Sequence, residues 1–392
     1  MATLKTKVLG IDFENPFILA SAPPTAKIES IDKAFELGWG GAVFKTITPD
    51  NLEMIEASQR YATWKVGNKV CGLENIELLS HLTVQQWLDG IKYLRQKHPT
   101  KVQIASIMAP VAKEEWQNLV KTFNNSEIDA FELNFSCPHG MPEKGIGMAI
   151  GTHPEISATI TKWVMEVAQK PVFVKLSPNV SNIVEIAKAV EDAGADGLAA
   201  INTVQSLMGV DLDTFEPLPN VNGKTTYGGY SGMAVKPIGL RCVAQIRQNS
   251  NLPILGIGGV ATWHDAAEYM CVGADVVQVC TEVMVNGYAI IEAMKKGLLN
   301  YLESKGLNSP ADLKNRAIAN LSAHETLNKQ KQVYPHIDDA ICAKCGKCVT
   351  ICAESEHSAL SLRDGHIVLD KTACVGCSLC SHICAKSAIK MK

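Results

Sequence analysis

Eight of the thirteen cysteines in this 392-residue chain lie between Cys342 and Cys384. They form two runs of one spacing, Cys342-x2-Cys345-x2-Cys348-x3-Cys352 and Cys374-x2-Cys377-x2-Cys380-x3-Cys384. In two-cluster iron–sulfur sites of this spacing, three cysteines of one run hold a [4Fe–4S] cluster and the fourth ligates the other cluster. Cys342, Cys345, Cys348 and Cys384 are therefore expected to hold one cluster. Cys374, Cys377, Cys380 and Cys352 are expected to hold the second. Zinc is the competing reading, but zinc sites use paired C-x2-C units rather than this repeated fourfold run. The proline that commonly follows the fourth cysteine is replaced by Ala353 and Ala385. It is not a ligand, so its loss alters a turn and leaves the ligand set intact.

A unit that moves single electrons has no substrate chemistry of its own, so the rest of the chain must supply it. Apolar, strand-like runs recur at Phe17–Ala22, Gly40–Phe44, Val102–Met108, Ala130–Phe135, Val172–Leu176, Gly197–Ile201, Pro253–Ile257 and Asp275–Cys280. Segments of helical spacing separate them, among them Ser30–Leu37, Thr83–Lys97, Lys113–Thr122, Pro154–Ala168, Asn182–Ala193, Ile238–Gln248 and Thr262–Cys271. Eight strands alternating with helices predict an α/β fold, a (β/α)8 TIM barrel. An open doubly wound sheet would want a glycine-rich dinucleotide turn after the first strand, and Ala20-Ser21-Ala22-Pro23-Pro24 stands there instead. Met284–Ser304 reads as a closing helix. Ser309-Pro310 is a helix-start signal, so Pro310–Leu327 reads as a second, polar helix. The expected organisation is a barrel over 1–300, a helical linker over 301–335, and a C-terminal α+β ferredoxin-like 2[4Fe-4S] domain over 336–392.

A net charge of −3 gives no footprint for nucleic acid or an anionic membrane surface. The polar start Met1-Ala2-Thr3-Leu4-Lys5-Thr6-Lys7 has no signal-peptide core, and no run reaches membrane-span length. A cytoplasmic protein is expected, whose thiols serve ligation rather than disulfides.

In such a barrel the C-terminal ends of the strands form the catalytic rim. Asn134-Phe135-Ser136-Cys137-Pro138-His139-Gly140 sits there, offering an amide, a hydroxyl and a thiol before a proline–glycine break. A lone cysteine beside a loop is more often structural, so its neighbours must decide. Lys45 and Lys175 end apolar strands, and a lysine in a buried strand needs a partner or a task. Asn75, Asn134, Asn202 and Thr203 collect at the rim with donors and acceptors for a planar ring. Gly228-Gly229-Tyr230-Ser231-Gly232, Gly256-Ile257-Gly258-Gly259 and Val279-Cys280-Thr281 lie where late strands build phosphate sites. A cofactor that accepts electrons singly and delivers a hydride would join the rim to the cysteine unit. Flavin does this.

The chain resembles the dihydropyrimidine dehydrogenase family, within the wider group of dihydroorotate dehydrogenase-like flavoproteins. The likeness rests on Leu19-Ala20-Ser21-Ala22, Lys45-Thr46, Asn75-Ile76-Glu77, Asn134-Phe135-Ser136-Cys137-Pro138-His139-Gly140-Met141, Lys175-Leu176-Ser177-Pro178-Asn179, Asn202-Thr203-Val204, Thr225-Thr226-Tyr227-Gly228-Gly229 and Gly258-Gly259. It extends over nearly the whole chain, the cysteine tail included. The resemblance implies FMN held by Ser21, Lys45, Thr46, Lys175, Gly232, Gly258, Gly259, Cys280 and Thr281. It implies a pyrimidine held by Asn75, Glu77, Asn134, Ser136, Asn202 and Thr203, with Cys137 as general acid. Hydride would pass to C6 of uracil or thymine, and Cys137 would protonate C5. An unperturbed thiol, with a pKa of about 8.5, is mostly protonated at neutral pH and can donate. The chain lacks the dinucleotide domains of the long eukaryotic form. The resemblance therefore places FAD and NAD(H) on a separate subunit of the PreT type, in a hetero-oligomer such as a heterotetramer. The alternatives are a dihydroorotate dehydrogenase-type FMN enzyme, which would want cationic contacts for a carboxylate, and a non-catalytic electron-transfer adaptor. A tRNA dihydrouridine synthase would call for a basic face that this composition does not provide.

Overall fold

The computed structural model describes residues 2–52, 55–135 and 147–392. Eight short strands form a closed barrel: β1 (Phe17–Leu19), β2 (Gly41–Val43), β3 (Val102–Ile107), β4 (Ala130–Asn134), β5 (Val172–Leu176), β6 (Gly197–Ala200), β7 (Ile254–Ile257) and β8 (Val276–Val279). Each pairs in parallel with its successor, and β8 returns to β1 through Val277 opposite Phe17. These are the eight strands expected from the apolar runs. Such runs read as continuously hydrophobic because parallel barrel strands are buried on both faces.

Eight helices follow the strands: α1 (Ile28–Leu37), α2 (Val84–Lys97), α3 (Lys113–Asn124), α4 (Pro154–Met165), α5 (Ile183–Asp192), α6 (Lys236–Arg247), α7 (Trp263–Cys271) and α8 (Ile290–Ser304). Their starts are written locally. Thr83 caps α2 and Thr262 caps α7, each accepting from a backbone N–H three residues on, and Asn182 caps α5 through Val184 N. Between helices and barrel lie the fully buried Trp39, Trp87, Trp116, Phe123 and Tyr269. Trp87 stacks on Phe44 with centroids 5.1 Å apart.

Side chains alternate along a strand, so every second residue points into the barrel. One layer of that interior is apolar: Ile18, Val43, Ile104, Ala130, Phe173, Ala199, Leu255 and Val276, one from each strand. Val8 and Phe13 of the N-terminal hairpin (Thr6–Val8 with Ile11–Phe13) join the same cluster. Two residues further along, five of the eight inward positions are polar: Lys45, Ser106, Glu132, Lys175 and Gln278 are all buried. The barrel is thus plugged below and polar above, and the switch falls at the C-terminal strand ends.

A second sheet, not anticipated from the sequence, belongs to the loops of that end. It is antiparallel, in the order Val204–Ser206, Gly228–Ser231, Lys69–Asn75, Tyr61–Val66. A hairpin turn at Gly67-Asn68, with Gly67 at φ +59°, joins the last two.

The segment expected to be a polar helix over Pro310–Leu327 is instead three single 3-10 turns, at Pro310–Leu313, Ile318–Asn320 and His324–Thr326. Ser309 stands at the N-cap of the first as predicted, its backbone N–H donating to Asp312 Oδ2 at 3.1 Å. The helix then stops because Lys314 is extended and Asn315 adopts φ +67°, a left-handed conformation that α-helices exclude. Leu313 is buried in the barrel's core cluster, and the first compact unit runs to Asn320.

The second unit, Leu321–Lys392, has two antiparallel strand pairs, Pro335–Ile337 with Ile389–Met391 and Leu360–Arg363 with His366–Leu369. Helices Lys347–Glu354 and Leu379–His382 complete it. Its buried core is Cys348, Leu360, Ile367, Cys380 and Ile389. Among the described residues no helix is long and apolar enough to cross a membrane.

Candidate active site and cluster region

A cleft with about 1100 Å³ of empty space, its open mouth included, lies at the C-terminal end of the barrel. Ser21, Lys45, Thr46, Lys175, Gly232, Gly258, Gly259, Cys280 and Thr281 all line it. So do Asn75, Glu77, Asn134, Asn202 and Thr203. Ser136 and Cys137 lie outside the described residues.

The local fold explains why these side chains converge. Phe135 points outward and packs edge-on against Trp116, with centroids 5.6 Å apart, which turns its neighbour Asn134 inward. Gly151 closes on the same strand end, donating its N–H to Phe135 O at 2.9 Å. A Cβ on Gly151 would sit 2.2 Å from that oxygen, so only glycine fits.

The floor is a connected polar network. Thr46 Oγ1 lies 3.1 Å from Ser21 Oγ and 2.9 Å from Ser106 Oγ, and it accepts from Asn134 Nδ2 at 2.9 Å. Asn134 Oδ1 accepts from Asn202 Nδ2 at 3.2 Å, and Asn202 Oδ1 accepts from Thr203 N at 2.8 Å. Two of the amides expected to hold a ring, Asn134 and Asn202, are therefore fixed against each other and against Thr46 and Thr203, while Asn75 Nδ2 donates to Gly229 O at 3.3 Å. Ser106 belongs to this network and was not singled out from the sequence. Nothing marks one serine in a buried strand until the barrel closes.

Both lysines carry carboxylates. Lys175 Nζ is 3.3 Å from Glu132 Oε1, and Gln278 donates to Glu132 Oε2 at 2.6 Å. Lys45 Nζ is 3.0 Å from Glu77 Oε2, which also accepts from Tyr61 OH at 2.6 Å. Burial of these ions costs several kcal/mol each unless geometry compensates, so each cation brings a partner with it. Burial also pushes the Cys280 thiol up to about 11, although Lys175, Thr281 and Lys45 pull the other way. Cys280 is thus a neutral thiol at the end of β8.

Gly259, at φ +69°, shows why the glycine stretches matter. A Cβ there would lie 2.7 Å from Gly232 O and 2.8 Å from Lys236 N. The loop after β7 and the loop leading into α6 thus meet backbone to backbone. Bare backbone beside the start of a twelve-residue helix is the construction that takes a phosphate. Gly228–Ser231, read from the sequence as part of that cradle, is instead a strand of the second sheet. Its neighbour Gly232 lies against Gly259 in the cleft lining. Gln278 Oε1 is buried in the floor with no hydrogen-bond partner among the described residues. A phosphate cradle, two cations, an amide ring set and an orphan acceptor together fit a flavin with its phosphate tail. In contrast, the described cluster of His264, Asp265 and Glu268 is not such a site, because Lys236 Nζ already bridges Asp265 and Glu268 at 2.6 and 2.8 Å.

In the second unit, Cys352, Cys374, Cys377 and Cys380 line one cavity with Ile351, Leu360 and Met391. This is the expected second ligand set, with Cys352 contributed by the other run. Cys342 and Cys345 lie near Cys348, whose thiol is raised by burial against the N–H groups of Val349 and Cys348, with a smaller rise from those two neighbours. The two loops match residue for residue. Lys344 and Gly376, each preceding a run's second cysteine, have φ +54° and +71°, and Gly346 and Ser378, each following it, have φ +70° and +65°. Left-handed turns of this kind aim backbone N–H groups at an anionic centre. Lys344 N donates to Cys342 Sγ and Ala388 N to Cys384 Sγ, both at 3.4 Å. The donor set, all thiol with inward amides, fits iron–sulfur clusters.

Comparison with known proteins agrees with both halves. The dihydroorotate dehydrogenase family profile matches residues 3–302, and the 4Fe-4S dicluster domain profile matches residues 335–391. The chain is 38% identical over 355 residues to the NAD-dependent dihydropyrimidine dehydrogenase subunit PreA of Escherichia coli (strain K12), covering 90% of this chain and 85% of that one. It is 34% identical over 341 residues to the chloroplastic dihydropyrimidine dehydrogenase (NADP(+)) of Arabidopsis thaliana, covering 84% and 80%. It is 36% identical over 311 residues to the catalytic subunit of dihydroorotate dehydrogenase B (NAD(+)) from Pyrococcus furiosus, covering 79% and 97%.

Proposed function

The chain belongs to the dihydroorotate dehydrogenase family, extended by a 4Fe-4S dicluster domain, and from that premise we propose that this oxidoreductase reduces the 5,6-double bond of uracil and thymine. One observation favours these neutral rings over orotate. Among the described residues, the two lysines that line the cleft are each already joined to a carboxylate, Lys45 to Glu77 and Lys175 to Glu132. A carboxylated ring would need a cation to spare. An uncharged imide ring needs amides and an acceptor, which Asn75, Asn134, Asn202, Thr203 and Glu77 supply.

When bound, FMN supplies the hydride for C6 of the ring. Ser21, Thr46, Lys45 and Lys175 would hold the flavin ring, and Gly232, Gly258, Gly259, Cys280 and Thr281 would surround its ribityl phosphate side. The lysines would place positive charge beside the ring that reduction makes negative. Asn134 and Asn202, locked to each other and to Thr46, orient the pyrimidine. Cys137, three residues beyond Asn134, gives its proton to C5. The eight tail cysteines would hold two [4Fe-4S] clusters, which would supply one-electron transfer. The source of the electrons is NADH, through a partner flavoprotein of the PreT type that carries FAD and the NAD(H) site.

The test is anaerobic. The FMN-loaded chain is reduced with an artificial donor and mixed with uracil, thymine or orotate. Reoxidation of the flavin by uracil and thymine, with the dihydropyrimidine as product, is the expected result. Reoxidation by orotate alone would move the chain to the dihydroorotate dehydrogenase reaction. No reoxidation by any of the three would leave it an electron-transfer adaptor.

A further inference from the structure

We propose that Tyr61 is a specificity-determining residue of this cleft, pinning the Glu77 carboxylate as a fixed acceptor that admits a neutral N–H-bearing ring and turns away a carboxylated one. The inference rests on the pyrimidine reading of the site.

Tyr61 opens the outermost strand of the second sheet, Tyr61–Val66, and sits directly opposite Asn75 in the register. The strand places the phenol in the cleft wall, beside an amide expected to hold the ring. Its hydroxyl donates to Glu77 Oε2 at 2.6 Å, a short charge-assisted hydrogen bond. Lys45 Nζ reaches the same oxygen at 3.0 Å. Burial, and then the hydrogen bond and charge of Glu77, push the phenol well above its ordinary range, with Arg60 opposing. The hydroxyl therefore stays a donor at any working pH.

Two donors on one oxygen fix the carboxylate plane. Glu77 stands on a connection between the sheet and α2, and Tyr61 adds its hydroxyl to the hold that Lys45 has on the same oxygen. That added hold resists any swing of the carboxylate that would make room for an anion. An incoming ring N–H then finds its acceptor already oriented, and an incoming carboxylate meets a like charge that cannot retreat. The strand pairing of Tyr61 is made by its backbone, so the sheet does not need the hydroxyl.

The experiment is a titration of the FMN-loaded full chain with uracil and with orotate, followed by the perturbation of the flavin spectrum, in wild type and Tyr61→Phe. Loss of a hydrogen bond to a charged group is expected to raise the uracil Kd about tenfold. KM should rise with it while kcat changes much less, and the uracil-to-orotate preference should fall. FMN content and the cluster spectrum should not change. A Tyr61→Phe chain that keeps the wild-type Kd for uracil and the wild-type preference overturns the inference. If Tyr61→Phe does not retain FMN, Glu77→Gln carries the test: it keeps a group for Tyr61 and Lys45 to hold but removes the charge, so uracil should bind more weakly and the uracil-to-orotate preference should fall, and a preference unchanged from wild type overturns the inference. A wild-type chain that binds no uracil overturns the pyrimidine reading itself, which is a different outcome.

Discussion

The barrel and the cysteine unit reach order by different routes. The barrel buries three tryptophans, an interior plug with one side chain from each strand, and a shell of aliphatic residues between strands and helices. The cysteine unit has a core cluster of five buried residues, of which two are the thiols Cys348 and Cys380. Burial of apolar surface at about 25 cal/mol per Å² holds the first together without its cofactor. The second has too little surface to bury, and metal binding there becomes folding free energy. The barrel presents a finished site to a flavin, whereas the tail is finished by what it binds.

The sharpest way to break this contrast is Cys377→Ser. Loss of one cluster should remove its visible absorbance and collapse amide-exchange protection across 335–391, since structural metal centres contribute on the order of 10 kcal/mol to folding. The barrel's thermal transition and FMN content should stay as they are. A barrel that melts with the tail would show that the two are not independent in stability.

Cys137→Ala comes next in size. General acid catalysis contributes about 10²- to 10⁴-fold, so anaerobic reoxidation by uracil should slow by roughly that factor, with flavin and cluster spectra unchanged. Unchanged turnover would remove Cys137 from the chemistry.

Glu132→Ala probes the barrel floor. Removing one member of a buried ion pair costs about 3 kcal/mol. Denaturant unfolding should show that loss in the barrel transition alone, with the tail's cluster spectrum preserved.

The smallest effect concerns Asp265, at the start of α7. Burial pushes its carboxyl up, but Lys236, Thr262 and the N–H groups of Ala261 and Thr262 outweigh this, and the net pKa is lowered. A depressed folded-state value stabilises above the ordinary aspartate value of 3.8 and loses that contribution as the pH falls through the lower folded value. Asp265→Asn should therefore cost about 1 kcal/mol at neutral pH, and the gap from wild type should close at acid pH. A gap that stays constant with pH would assign the cost to packing.

The same contrast explains what could be read from the sequence. The cysteine runs are legible because ligation fixes residue type and spacing along the chain. The barrel strands are legible because two-sided burial leaves uninterrupted apolar runs such as Val172–Leu176. The sheet over the strand ends is not, because Tyr61–Val66 is half-exposed to exposed throughout and carries no apolar face. Its one signal is the Gly67-Asn68 turn. The partners of Lys45 and Lys175 were also hidden, since Glu77 and Glu132 stand 32 and 43 positions away and meet them only when the barrel closes. Asn315 ended a predicted helix by a left-handed backbone that composition does not announce.

We propose that the tail feeds electrons to the barrel, where the ring is reduced. The most direct test reduces both flavin and clusters of the full chain anaerobically, then adds uracil and follows the flavin and cluster bands separately. The account predicts that both are reoxidised, with one dihydrouracil formed for every two electrons lost, those stored on the clusters included. Flavin that reoxidises while the clusters stay reduced would contradict it.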